Sequence, residues 1–251
     1  MAKLNFVSRG EGTAIIFVHG LGESLESWSE QLEHFGAEGF RAVALDLRGH
    51  GHSEAGEARI EMEGFADDVF EALRSLSIEK AHFCGLSMGA LVVLEAYKRN
   101  PGAFLSMTLV SSLPQYPPAQ TQALENMSMR ELGEQVAKFA VGPAATTELK
   151  KSIARVVGST SKTAYIQSAE AACARDYTPV LSTIKVPVLL VAGELGFVAP
   201  PQAAAFMQKR IANSSLVIVR GAGHLPNREA PREFDRLLDE FLRTVGKGAT
   251  P

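Results

Sequence analysis

Two cysteines in 251 residues are too few for a disulfide-stapled scaffold. Cys84 ends a short apolar run and Cys173 sits in a helix-like stretch, so each reads as a small buried hydrophobe and no disulfide is expected. No apolar run approaches the roughly 20 residues needed to span a bilayer, and the N-terminus, Met1 to Gly10, has no apolar signal core. A soluble, unexported, cytoplasmic protein with no membrane partner is therefore expected. Neither sign of charge dominates: 25 Lys and Arg against 28 Asp and Glu leave a net −3, with the basic residues scattered. That balance offers no footprint for nucleic acid or an anionic surface. The six histidines show no pairing at metal-binding spacing beyond His50 and His52 on a glycine-rich turn, so no metal is expected. There is no repeat and no low-complexity tract, and monomer and homo-oligomer both stay open.

What is present is a 46% hydrophobic chain long enough for one full core, with room for an inserted subdomain. Short Val-, Ile- and Leu-rich runs alternate with amphipathic stretches of helical length, the rhythm of a parallel sheet covered on both faces. Strands are expected at 4–8, 14–18, 41–45, 81–84, 105–110, 188–192 and 216–219, and helices at 25–38, 60–76, 87–98, 201–211 and 231–245. The rhythm breaks after Ser112. From Pro114 to Asp176 no strand-like run appears, and spacings such as Leu132, Val136, Phe139 and Ala140 put apolar residues on one helical face. About four short helices inserted between two strands are expected there. Basic and acidic residues nearly balance in this insertion, so its charge identifies no acidic substrate.

Chemistry concentrates at three places. Gly85-Leu86-Ser87-Met88-Gly89 follows a strand-like run and precedes a helix-like one. Such a turn holds a serine hydroxyl out at the sheet edge as a nucleophile, with glycines where a Cβ would collide. Phe17-Val18-His19-Gly20-Leu21-Gly22 ends an early strand. The backbone N–H groups of Leu21 and Met88 are the natural pair of donors to an oxyanion, while His19 itself is expected to shape its loop. Gly221-Ala222-Gly223-His224 follows a late strand, where a histidine can act as base toward Ser87. In Asp46-Leu47-Arg48-Gly49-His50-Gly51-His52-Ser53, Asp46 and Arg48 are expected to pair. Trp28 is expected to anchor the first helix or to line the pocket entrance, and Tyr116, Met127, Met129, Phe139 and Tyr165 to line an apolar pocket beneath the inserted helices.

From the His-Gly loop through the Asp-x-Arg-Gly-x-Gly-x-Ser segment and the serine turn to the late Gly-His, nearly the whole chain resembles the α/β-hydrolase family. Within it the likeness is to small esterases, 3-oxoadipate enol-lactonase-like hydrolases and carbon–carbon bond hydrolases. The resemblance implies an α/β fold, a mostly parallel twisted sheet with helices on both faces and a small helical cap inserted between late strands. The core would be 1–112 and 179–251, and the cap 113–178. It implies a small-molecule substrate, a carboxylic ester or lactone, and no cofactor. The chain departs from the family at the acid of the triad. Where the late strand of such proteins runs into Gly-x-x-Asp, this chain has Gly193-Glu194-Leu195-Gly196. A serine–histidine pair without its carboxylate keeps nucleophile and base but loses roughly 10⁴-fold in turnover. Three readings are open: Glu194 replaces the acid; another carboxylate enters from elsewhere, although the end of the 105–110 strand offers only Ser111 and Ser112; or Gly196 is a substitution peculiar to this chain. Hydrolysis of a carbon–carbon bond and a non-catalytic, ligand-binding homologue are the alternative functions.

Overall fold

The computed structural model describes residues 3–247. Met1, Ala2 and 248–251, which the expected core boundaries include, lie outside the described residues. Seven strands form one sheet, β1 (Phe6–Arg9), β2 (Thr13–Val18), β3 (Phe40–Leu45), β4 (Ala81–Leu86), β5 (Phe104–Val110), β6 (Val188–Gly193) and β7 (Ser214–Val219), in the order β1-β3-β2-β4-β5-β6-β7. β1 runs antiparallel to β3 and every other pair is parallel.

Alternation along the strands divides the core. On β2, Ala14, Ile16 and Val18 pack on one side, while Ile15 and Phe17 pack on the other, because successive side chains leave opposite faces. β4 and β6 are buried along their whole length, as strands covered on both faces must be. On the first face lie α2 (Met62–Ser75) and α3 (Met88–Arg99). On the second lie α1 (Ser29–Ala37) and α11 (Pro231–Lys247), where Phe234, Leu238 and Leu242 form one stripe four residues apart. Trp28 is fully buried there, with Phe17 at 5.0 Å and Phe234 at 6.0 Å between ring centroids. Truncating it would cost about 3–5 kcal/mol. The helix expected over 25–38 is divided: Ser24 caps a 3₁₀ turn, Leu25–Trp28, before α1 begins.

Between β5 and β6 the chain makes α4 (Gln122–Glu125), α5 (Met129–Phe139), α6 (Thr147–Ser159), α7 (Lys162–Cys173) and α8 (Thr178–Leu181). Its two ends clasp each other, since Gln115 bridges Asp176 and Tyr177 N–H donates to Pro114 O at 2.9 Å. A Cβ on Gly133 would collide with Ala154 O, so α5 and α6 are in backbone contact. Surface ion pairs join the insertion to the rest, Arg155 to Glu26, Arg175 to Glu63 at 2.6 Å and Arg59 to Glu170 at 2.6 Å. Exposed pairs of this kind stabilise by about 0–1 kcal/mol each, so apolar packing of α5 and α6 holds the insertion down. After β6 come α9 (Pro201–Gln208) and, past β7, α10 (Pro226–Glu229). Among the described residues no helix is long and apolar enough to cross a membrane. Both cysteines are free thiols.

Candidate active site

Ser87 terminates β4 and caps α3 with φ 55° and ψ −117°, a conformation that costs a non-glycine residue of order 1–3 kcal/mol. Backbone closes around it. A Cβ on Gly85 would strike Gly89 O, and one on Gly89 would strike Val18 O, so the flanking glycines let strand, turn and helix approach. Ser87 N–H donates to Val110 O at 2.8 Å, and Ser112 Oγ–H donates to Ser87 O at 3.0 Å.

The loop from His19 to Gly22 sits directly alongside. A Cβ on Gly20 would lie 3.4 Å from Ser87 Cβ. Leu21 and Met88 both face the cavity that Ser87 opens into, and Met88, the first residue of α3, has an N–H with no acceptor inside its helix. His19 holds this loop in shape. Its Nδ1–H donates to Gly20 O at 2.8 Å and its Nε2 accepts Leu47 N–H at 3.0 Å, while burial pushes its pKa down and keeps it neutral. Asp46 and Arg48 do not pair, contrary to expectation. Asp46 accepts the N–H groups of Leu25 at 2.7 Å and His52 at 2.9 Å, and Arg48 pairs with Asp68 at 2.6 Å. The backbone donors outbid a neighbouring guanidinium because the turn folds them onto the carboxylate.

His224 lines the same cavity as Ser87. Its N–H donates to Ala140 O at 2.7 Å, tying the histidine loop to the end of α5. The ring is buried, which pushes its pKa down to about 4, and its Nδ1 has no hydrogen-bond partner. The acid position is correspondingly empty. A Cβ on Gly196 would come 3.6 Å from the backbone oxygen of Gly223, the residue before His224, so an aspartate there would start its side chain against the histidine loop. Glu194 does not substitute for it. Its exposed carboxylate accepts Gly221 N–H at 2.9 Å, at the turn leaving β7, and is spent there. Nor does β5 help: Ser112 is engaged by Ser87 O, and Ser111, at φ 45°, has a buried hydroxyl without a partner.

A carboxylate that sequence reasoning missed organises the histidine loop. Glu229 accepts three backbone N–H groups, Gly142 at 2.6 Å and Gly223 at 2.9 Å on Oε2 and Leu225 at 3.0 Å on Oε1. It thereby clamps both neighbours of His224 and ties them to the insertion. The one sequence signal was a glutamate five residues past the histidine, which by itself does not separate a loop clamp from a surface charge.

The cavity holds about 230 Å³, more than the roughly 150 Å³ that admits benzene. Tyr116, Phe139 and Tyr165 line it, joined by Val136. Tyr116 Oη lies 3.4 Å from Ser87 Oγ, a long contact for two hydroxyls, and burial raises its pKa. Trp28 takes the core-anchoring one of its two expected places, on the second face of the sheet, and two expected lining residues, Met127 and Met129, pack half-buried against that same core. Both are apolar residues at helix-like positions, and spacing alone does not say which face they turn to. Among the described residues no cluster of three His, Cys, Asp or Glu is arranged to hold a metal.

A family model described as alpha/beta hydrolase fold matches residues 13–148, and a second, described as TAP-like protein, matches 154–249. The chain is 28% identical over 243 residues to 3-oxoadipate enol-lactonase 1 of Acinetobacter baylyi, covering 92% of this chain and 89% of that protein. Among solved structures, an enol-lactonase from Burkholderia xenovorans LB400 superposes with a TM-score of 0.88 at 26% identity, covering 96% of this chain and 97% of that one. A thermophilic esterase from Thermogutta terrifontis gives 0.88 at 25% identity, covering 97% and 94%. This chain belongs to the α/β hydrolase fold family.

Proposed function

We propose that this protein is a serine hydrolase of the esterase or lactonase type, acting on a small carboxylic ester or lactone without a cofactor. The observation that carries the reading is that Ser87, on its strained turn, and His224 line one cavity beside Leu21 and Met88. The names of the relatives, enol-lactonases and an esterase, support the same bond class.

Ser87 Oγ attacks the carbonyl carbon as His224 Nε2 takes its proton, and the negative oxygen is held by the N–H groups of Leu21 and Met88. The imidazolium then gives the proton to the leaving alkoxide, which departs as an alcohol and leaves an acyl ester on Ser87. Water, deprotonated by the same nitrogen, attacks that ester, and the carboxylic acid leaves with Ser87 regenerated. The low pKa of His224 keeps it neutral and able to accept a proton at ordinary pH. Accepting at Nε2 requires the proton on Nδ1, which nothing fixes because Nδ1 has no partner. Slow turnover is the expected consequence.

The orphaned Nδ1 also favours a second reading, a ligand-binding homologue that has shed the reaction. An alkyl fluorophosphonate separates the two. The hydrolase reading expects covalent labelling of Ser87, seen as a mass increase lost in Ser87→Ala; a folded protein that stays unlabelled would count for the binder.

A further inference from the structure

A carboxylate entering this cavity would find no cation to meet it. Among the lining residues there is no lysine or arginine, and the walls are Leu21, Val136, Phe139, Tyr165, Ala169 and Val198 with their neighbours. The one carboxylate on the lining, Glu23, is 5% exposed and has both its partners on Oε2, which accepts from the Ser27 hydroxyl and pairs with Arg228 at 3.1 Å. The other arm of Arg228 donates to Ser152 at 2.9 Å, so the guanidinium behind Glu23 is committed before any substrate arrives. The rim is apolar as well. Phe139 lines the cavity and is 51% exposed, and Val198 lines it next to Phe197, which is 82% exposed. An apolar chain can therefore run from Ser87 outward without meeting a charge.

We infer that the group bound in this cavity is uncharged and apolar, an aliphatic or aromatic acyl or lactone ring, and that the site discriminates against substrates with a free carboxylate on that group. This rests on the serine-hydrolase reading for where the substrate lies. The physical cause is twofold. A carboxylate loses its water without gaining a partner, and it approaches Glu23, whose own charge is already balanced. Because an adipate-derived lactone retains a free carboxylate, the inference separates this chain from the activity in its enol-lactonase relatives' names. His224 does not reverse the balance, since its depressed pKa leaves it neutral near pH 7.

The deciding pair is methyl hexanoate and monomethyl adipate, the same ester on the same six-carbon chain with a terminal methyl exchanged for a carboxylate. At pH 7 kcat/KM is expected to favour the hexanoate by about a hundredfold. A preference of tenfold or more supports the inference, and a smaller one, or any preference for the hemiester, overturns it. Binding of hexanamide against adipamic acid to the Ser87→Ala protein, followed by NMR titration, reads the same discrimination without chemistry and is judged by the same threshold. If neither ester turns over and Ser87 resists the fluorophosphonate, it is the hydrolase reading that fails, while the amide pair still decides the charge preference. Glu23→Gln, which frees Arg228, is expected to narrow the ratio at least fivefold, and an unchanged ratio in the folded variant overturns the role given to this ion pair.

Discussion

Ser87 and His224 face one cavity, yet the turn carrying the serine is closed on every side by backbone, whereas the loop carrying the histidine ends in a ring nitrogen with nothing to bond. The serine half derives its geometry from the core: β2, β4 and α3 approach so closely that only glycine fits at 85 and 89. The histidine half is oriented from behind. Ala140 O and the Glu229 carboxylate fix the backbone on either side of His224, and nothing fixes the ring. The comparison teaches that placing a loop and fixing a ring on it are separate problems: backbone contacts hold both the serine turn and the histidine loop, and no hydrogen bond holds Nδ1 of the ring.

The comparison breaks most visibly if the missing group is supplied. Gly196→Asp is expected to raise kcat toward the roughly 10⁴-fold that a triad acid confers. Its Cβ would come 3.0 Å from Ala199 O and 3.1 Å from Gly193 O, so the loop must yield by a few tenths of an ångström, and a thermal melt checks that the variant folds. The pH profile gives a second readout. The base proposed here, His224, can accept a proton only when neutral, so with a pKa of about 4 activity is expected above that pH and is expected to be lost as pH falls through it. A new carboxylate stabilises the imidazolium, raises the pKa and moves this acid limb upward. Glu194→Gln should leave turnover within about twofold, since that side chain serves the Gly221 turn. A folded Gly196→Asp protein with unaltered kcat and an unmoved limb would mean that the ring is not where an acid at 196 can reach it.

A sharper cut falls on the clamp. In Glu229→Gln one carboxylate oxygen becomes an NH₂ group facing backbone N–H donors, so up to two of the three bonds are lost and replaced by opposed donors. Displacement of a catalytic group by about 1 Å costs about 100-fold, and kcat is expected to fall by that order with KM changing less. A residue that serves stability alone would lower the melting temperature and leave kcat of the folded fraction intact, which is the outcome that removes Glu229 from the positioning role.

The serine half was legible in the sequence because its constraints are local. Gly85, Ser87 and Gly89 lie within one turn, and Gly20 and Leu21 follow directly on a strand, so spacing carries the geometry. The fold was legible for a related reason: strands buried on both faces read as apolar runs, unbroken in β6 and interrupted in β4 only by His82. The rest depends on contacts between distant segments. Glu229 meets Gly142, Glu23 meets Arg228, and Asp46 prefers the N–H groups of Leu25 and His52 to its neighbour Arg48. No spacing rule encodes those meetings. The same reason put Met127 and Met129 against the core instead of on the cavity, where Tyr116, Phe139 and Tyr165 lie, and left the two places open to Trp28 undecided until the fold set it in the core. Gly196 was the informative departure, since the absence of one carboxylate in sequence becomes the absence of one hydrogen bond at Nδ1.

The smallest expected effect tests whether the serine half is as complete as its packing implies. Tyr116 Oη is 3.4 Å from Ser87 Oγ, a long and weak hydrogen bond that can bias the serine hydroxyl. Removing the hydroxyl in Tyr116→Phe keeps the ring on the cavity wall and deletes one weak neutral contact. Such a contact contributes about 0.5–1.5 kcal/mol, so kcat/KM should fall by about two- to tenfold, with KM for apolar esters nearly constant. Steady-state kinetics on a nitrophenyl ester suffices to measure it. A loss beyond a hundredfold would make the tyrosine a proton donor in the reaction itself, and the serine half would then be completed by the inserted helices as much as by the core.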